Sequence, residues 1–147
     1  MTVKAGQAIR NAVEAELAAG RFYTLLAEAS GDEHAAAFLR EMAEQERAHA
    51  RAIEEQGAAL AGVELAAKAD VDVELIETLP TWKYVDGITL EQAFEVAISA
   101  EHSASLFYDA LADHLDGDAP EFFRKLAKDE EQHAASLEQE RRRVFLR

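Results

Sequence analysis

Two short stretches of the chain set acids and imidazoles one helical turn apart: EQERAH at 44–49 and DEEQH at 129–133. In the first, Glu46 precedes His49 by three positions; in the second, Glu130 precedes His133 by the same step. A carboxylate and an imidazole at that spacing project from one face of a helix and can hold the same small object. Two further glutamates, Glu16 and Glu101, stand in segments of helical composition. Carboxylate oxygens and imidazole nitrogens together suit divalent iron, manganese and their neighbours. The chemistry these residues suggest is therefore metal binding.

What matters is where the acids fall on their helices. The first segment carries a stripe of Ile9, Val13, Glu16, Gly20, Tyr23 and Ala27. The second gives Leu39, Met42, Glu46, His49 and Ile53. The third gives Leu90, Phe94, Ala97, Glu101, Ala104, Tyr108, Leu111 and Leu115, and the fourth Ala119, Phe123, Leu126, Glu130, His133 and Leu137. Steps of three and four mark helices facing a common core. Each stripe is apolar except near its middle, where Glu, or Glu with His, interrupts it. Glu44, Asp129 and Glu131 fall off the stripes and read as surface residues.

Punctuation supports four helices, at about 4–29, 33–56, 90–115 and 119–143. Gly31 and Gly117 sit in the breaks, Thr89 with Gln92 fits a capping box, and Pro120 fits a first helical turn. The halves repeat. Glu16 to Tyr23 and Glu101 to Tyr108 both span seven positions, and Glu16 to Glu46 spans 30 against 29 for Glu101 to Glu130. One helix pair therefore occurs twice, about 4–56 and 89–143. Residues 57–88 join the pairs and include VDVEL, either a short strand or part of a short helix. Helices of this length run about 40 Å, and the joining segment is long enough to cross the bundle, with Trp82 and Tyr84 as packing anchors.

Brought together, the stripes place Glu16, Glu46, His49, Glu101, Glu130 and His133 at one level. Four carboxylates in an apolar core cannot all stay ionised without compensation, and two divalent cations balance them. Tyr23 and Tyr108, two turns beyond Glu16 and Glu101, are placed to donate to a ligating carboxylate, although a buried tyrosine also serves as ordinary core. Gly20 makes room near the site or between helices. His34 and His114 lie near helix ends and read as surface, and His102, one step off its stripe, is a lesser candidate for proton transfer.

Composition narrows the function classes. A net charge of −14 argues against nucleic acid. The absence of cysteine excludes disulfides, thiolate zinc and iron–sulfur centres within the chain. No apolar run is long enough to span a membrane, and the N-terminal MTVKAGQAIR has no signal core. The expectation is a cytoplasmic protein of one domain, 1–147.

Glu16 with Tyr23, Glu46-x-x-His49, Glu101 with Tyr108 and Glu130-x-x-His133 resemble the rubrerythrin-like branch of the ferritin-like superfamily over almost the whole chain. The resemblance implies an all-α ferritin-like four-helix bundle with a long crossover between helices two and three. It implies two iron ions per chain, or manganese, with Glu46 and Glu130 bridging and Glu16, His49, Glu101 and His133 terminal. Two departures stand out. Rubrerythrins carry a further carboxylate one turn after the third-helix ligand, where this chain has Ala104, and a rubredoxin domain that needs cysteines. The six-residue set is similar to the oxidation centre of bacterioferritin, whose haem-ligand methionine is replaced here by Arg47. The expected function is a di-iron carboxylate oxidoreductase that oxidises Fe(II) with hydrogen peroxide or O₂ in peroxide defence or iron handling. An electron-donor protein would be its partner, and a homodimer its assembly. The alternatives are a non-catalytic metal-binding or iron-storage module of a longer protein, or a di-manganese catalase-like enzyme.

Overall fold

The computed structural model describes residues 2–70, 82, 85 and 87–146, with side chains from Lys4. The VDVEL stretch, Pro80 and Tyr84 lie outside the described residues. The order is α1 (Thr2–Ala29), α2 (Glu33–Ala52), a π turn (Ile53–Gly57), α3 (Ala58–Ala61), α4 (Leu90–Asp113) and α5 (Ala119–Phe145). No strand occurs among the described residues, and no helix there is long and apolar enough to cross a membrane.

Local chemistry sets the helix ends. The Asp32 side chain accepts from the Ala35 N–H and caps α2. Thr89 and Gln92 form the expected capping box on α4, and Pro120 occupies the first turn of α5, where its missing N–H leaves no helical bond unmade. Helix two, however, does not stop at residue 56. Gly57 keeps helical dihedrals and is buried, and a Cβ there would stand 3.2 Å from Phe123 Cζ. Gly57 thus admits a phenylalanine ring rather than ending the helix. The end comes at Gly62, whose φ of 68° is left-handed, a conformation glycine adopts without a Cβ penalty.

α1 packs mainly on α2, and α4 on α5. The hairpins meet with Tyr23 against Glu101 and Tyr108 against Glu16, so α1 and α4 are antiparallel. α2 then runs parallel to α4, and its end lies at the opposite end of the bundle from the start of α4. The connection must travel the bundle's length. Its described residues lie along α1. Ala66 pairs with the backbone of Gly6, Gln7 donates to the Lys68 carbonyl, and Asn11 exchanges two bonds with the Asp70 backbone. Farther along, Trp82 packs on Phe22 and Tyr23, with ring centroids 5.4 and 5.3 Å apart.

The interior is layered. One apolar cluster joins Ile9, Val13, Ile53, Phe107, Leu111 and Phe123; a second joins Phe22, Leu26, Leu39, Phe94 and Leu137. A Cβ at Gly20 would come within 3.4 Å of Arg47 Cγ and 3.6 Å of the Ala43 carbonyl oxygen, at the α1–α2 contact. The polar middles of the four stripes lie between the clusters.

Candidate metal centre

That middle layer holds Glu16, Glu46, Glu101 and Glu130, each no more than 3% exposed, with His133 at 6%. His49 is partly buried. The six residues come from four helices, so the site exists only when both hairpins are docked. Two groups have their ligand-type atoms within 4.8 Å of one another: Glu16, Glu46, His49 and Glu130, and Glu46, Glu101, Glu130 and His133. Glu46 and Glu130 belong to both.

Glu16 and Glu101 are each held from one side. Tyr108 Oη donates to Glu16 Oε1 at 2.6 Å, and Tyr23 Oη to Glu101 Oε1 at 2.8 Å. Each tyrosine therefore serves the glutamate of the other hairpin, not that of its own helix. The opposite oxygens, Glu16 Oε2 and Glu101 Oε2, have no hydrogen-bond partner, nor do Glu46 Oε1, both oxygens of Glu130, His49 Nδ1 or His133 Nδ1. His49 Nδ1 lies 2.9 Å from Glu130 Oε1, and His133 Nδ1 lies 2.8 Å from Glu46 Oε1, without hydrogen-bond alignment. Buried polar atoms are normally paired, because an unpaired one costs free energy. Seven orphans around one space, all of ligand type, fit a pair of cations.

The imidazoles are held from outside. His133 Nε2 is 2.7 Å from Gln45 Oε1, and His49 Nε2 is 3.3 Å from Asp129 Oδ2. An acceptor at Nε2 keeps the proton there and leaves Nδ1 free to coordinate. Asp129 thus departs from the surface reading. It lies off the stripe, but its side chain leans across to the ring of the facing helix and is only 36% exposed. Gln45 was not singled out in the sequence either; both immediately precede a site glutamate, and that position is the signal that could have found them. His34, read as a surface residue, is exposed and pairs with Glu140, and His102 is exposed and pairs with Glu131. His102 does not enter the centre. His114 is exposed at the end of α4. Ala104 is buried in the apolar cluster beside the site.

The electrostatics follow from crowding. Burial, and then Glu16 and Glu101, push the Glu46 carboxyl well above its ordinary range; burial and the same neighbours do so for Glu130. Burial and Glu101 raise the Tyr23 hydroxyl, and burial and Glu16 raise Tyr108, so both remain donors. Burial alone would lower His49, but Glu16 and Asp129 outweigh it and push the ring up. A cleft of about 290 Å³ between α2 and α5, lined by Gln45, Ala48, His49, Asp129, Gln132 and His133, opens onto the two rings.

Comparison with known proteins agrees with this geometry. Searches of curated proteins and of solved structures give no match. The family model for rubrerythrin matches residues 7–92 and 92–147. Those segments contain all six converging residues, and the chain belongs to the rubrerythrin family, a di-iron family of the ferritin-like superfamily.

Proposed function

We propose that the chain holds two metal ions, iron in the first instance, and acts as a non-haem di-iron oxidoreductase that oxidises Fe(II) with hydrogen peroxide or O₂. The seven unpartnered buried donor atoms carry this reading. Glu46 and Glu130, common to both donor groups, would be shared between the two ions. Glu16 with His49 and Glu101 with His133 complete one end each. Tyr23 and Tyr108 fix one oxygen of each terminal carboxylate and direct the other inward. Bound iron supplies the electrons, and the chain supplies orientation, charge balance and dryness. Apolar clusters close the layer above and below, so a small oxidant reaches the layer through the cleft at the histidine rings.

Anaerobic loading with Fe(II), elemental analysis, and absorption spectra before and after oxidant test this reading. Two irons per chain and a fast spectral change with peroxide are expected. One ion or none per chain, or a spectrum indifferent to both oxidants, would refute it. Buried Ala104 supports a second arm of the same reading, because it leaves the donor set at six. If O₂ acts as fast as peroxide and excess Fe(II) keeps being consumed, the activity is that of a ferroxidase; if peroxide acts once and stops until reductant is added, it is that of a peroxidase fed by a partner.

A further inference from the structure

The two halves of the centre match in their donors but not in what stands behind them. Glu16 answers Glu101, His49 answers His133, and each pair shares Glu46 and Glu130. Behind the rings the match fails. His133 Nε2 faces the neutral Gln45 amide oxygen, whereas His49 Nε2 faces the Asp129 carboxylate. Gln45 precedes Glu46 as Asp129 precedes Glu130, so the two occupy equivalent places with different charge. From this juxtaposition we propose that Asp129 is a positioning residue that makes the two metal positions unequal, with the Glu16–His49 position the tighter. The inference rests on the proposed two-metal centre.

The physical ground is the charge behind the ligand. A carboxylate at the outer nitrogen makes an imidazole a stronger donor than a neutral amide does, and it adds one negative charge near the cation. Lys125 stands 3.3 Å from the same Asp129 oxygen and offsets part of this charge. Lys125 is exposed, however, while His49 is mostly buried. The interaction through the buried ring is therefore the less screened. Changes in such outer partners typically cost about 10–100-fold in metal affinity. Each half also retains its own tyrosine donor and shares the same bridges, so neither of these distinguishes the positions.

Calorimetric titration of the metal-free full chain with Co(II) tests the proposal. Two steps at least tenfold apart are expected. Two steps alone also arise from repulsion between neighbouring cations, so the variants are decisive. Asp129→Asn should weaken the first step about tenfold or more and leave the second nearly unchanged, closing the gap. Gln45→Glu should tighten the second step and close the gap from the other side. His49→Ala should remove the tighter step, and His133→Ala the weaker. Circular dichroism and melting of each metal-free variant report whether it has folded. If Asp129→Asn does not fold, Gln45→Glu still decides. A gap that stays the same in both charge variants, or loss of the tighter step in His133→Ala, overturns the proposal and leaves the two-metal reading standing. No Co(II) binding by the wild-type chain overturns both.

Discussion

At the residue scale, the centre turns on atoms that lack partners and on the few that have them. Tyr108 supplies Glu16 with its partner, and both residues are buried. Tyr108→Phe should cost about 1–3 kcal/mol of metal-free stability, the usual penalty for orphaning a buried acceptor. Urea unfolding checks this, and a cost under a few tenths would show that the bond does not matter. Glu46 should behave in the opposite sense. It sits among carboxylates that raise its pKa, so Glu46→Gln removes a repelled charge and should stabilise the metal-free protein by about 1 kcal/mol or more. The same change should weaken both metal steps, since Glu46 belongs to both donor groups. An apo form that loses stability in Glu46→Gln would contradict the crowding. The six converging residues were legible in the sequence because each acid broke an otherwise apolar stripe. Asp129 and Gln45 were not, because their role depends on a side chain reaching to another helix, and helical periodicity carries no such information.

At the scale of elements, the antiparallel match of α1 to α4 dictates the crossover, and Gly6 is where that crossover docks. A Cβ at Gly6 would lie 2.0 Å from the Glu64 carbonyl oxygen. The obstacle is backbone, so it cannot swing away as a long side chain would. Gly6→Ala should therefore cost about 1–3 kcal/mol and separate residues 64–70 from α1. Faster hydrogen exchange at Ala66, whose N–H bonds to the Gly6 carbonyl, is the readout. Unchanged exchange there would mean that the contact is not tight. The length of residues 57–88 made a crossover foreseeable, but not its path, which depends on Asn11 and Arg10 capturing loop backbone. The helix boundaries followed the caps well, apart from Gly57. There the sequence cannot tell a glycine that ends a helix from one that makes room for Phe123. Tertiary packing decided it.

At the scale of the whole molecule, the polar layer lies between two apolar clusters and couples folding to pH and to metal in opposite directions. In the metal-free protein, Glu46 and Glu130 have folded pKa values raised above the ordinary 4.5. Their favourable contribution is fully present below that value and is lost as pH rises through the folded range. His49, also raised, adds loss of the same sign. At the acid end Glu140 works the other way, because Arg143 and His34 hold its pKa down against burial, and its contribution disappears as pH falls. The metal-free chain should therefore lose melting temperature as pH rises above the ordinary carboxylate range. Metal binding needs the carboxylates ionised and Nδ1 of each histidine unprotonated, so it strengthens over the same rise in pH. With a cation at a hundred times its dissociation constant, one site adds about 2.7 kcal/mol. For a chain of this size that is a rise of roughly 5–10 °C, doubled if both sites fill alike. Melting curves with and without Mn(II) should therefore diverge as pH rises. Parallel curves would mean that the four carboxylates do not share one layer, and the two-metal centre would fall with them.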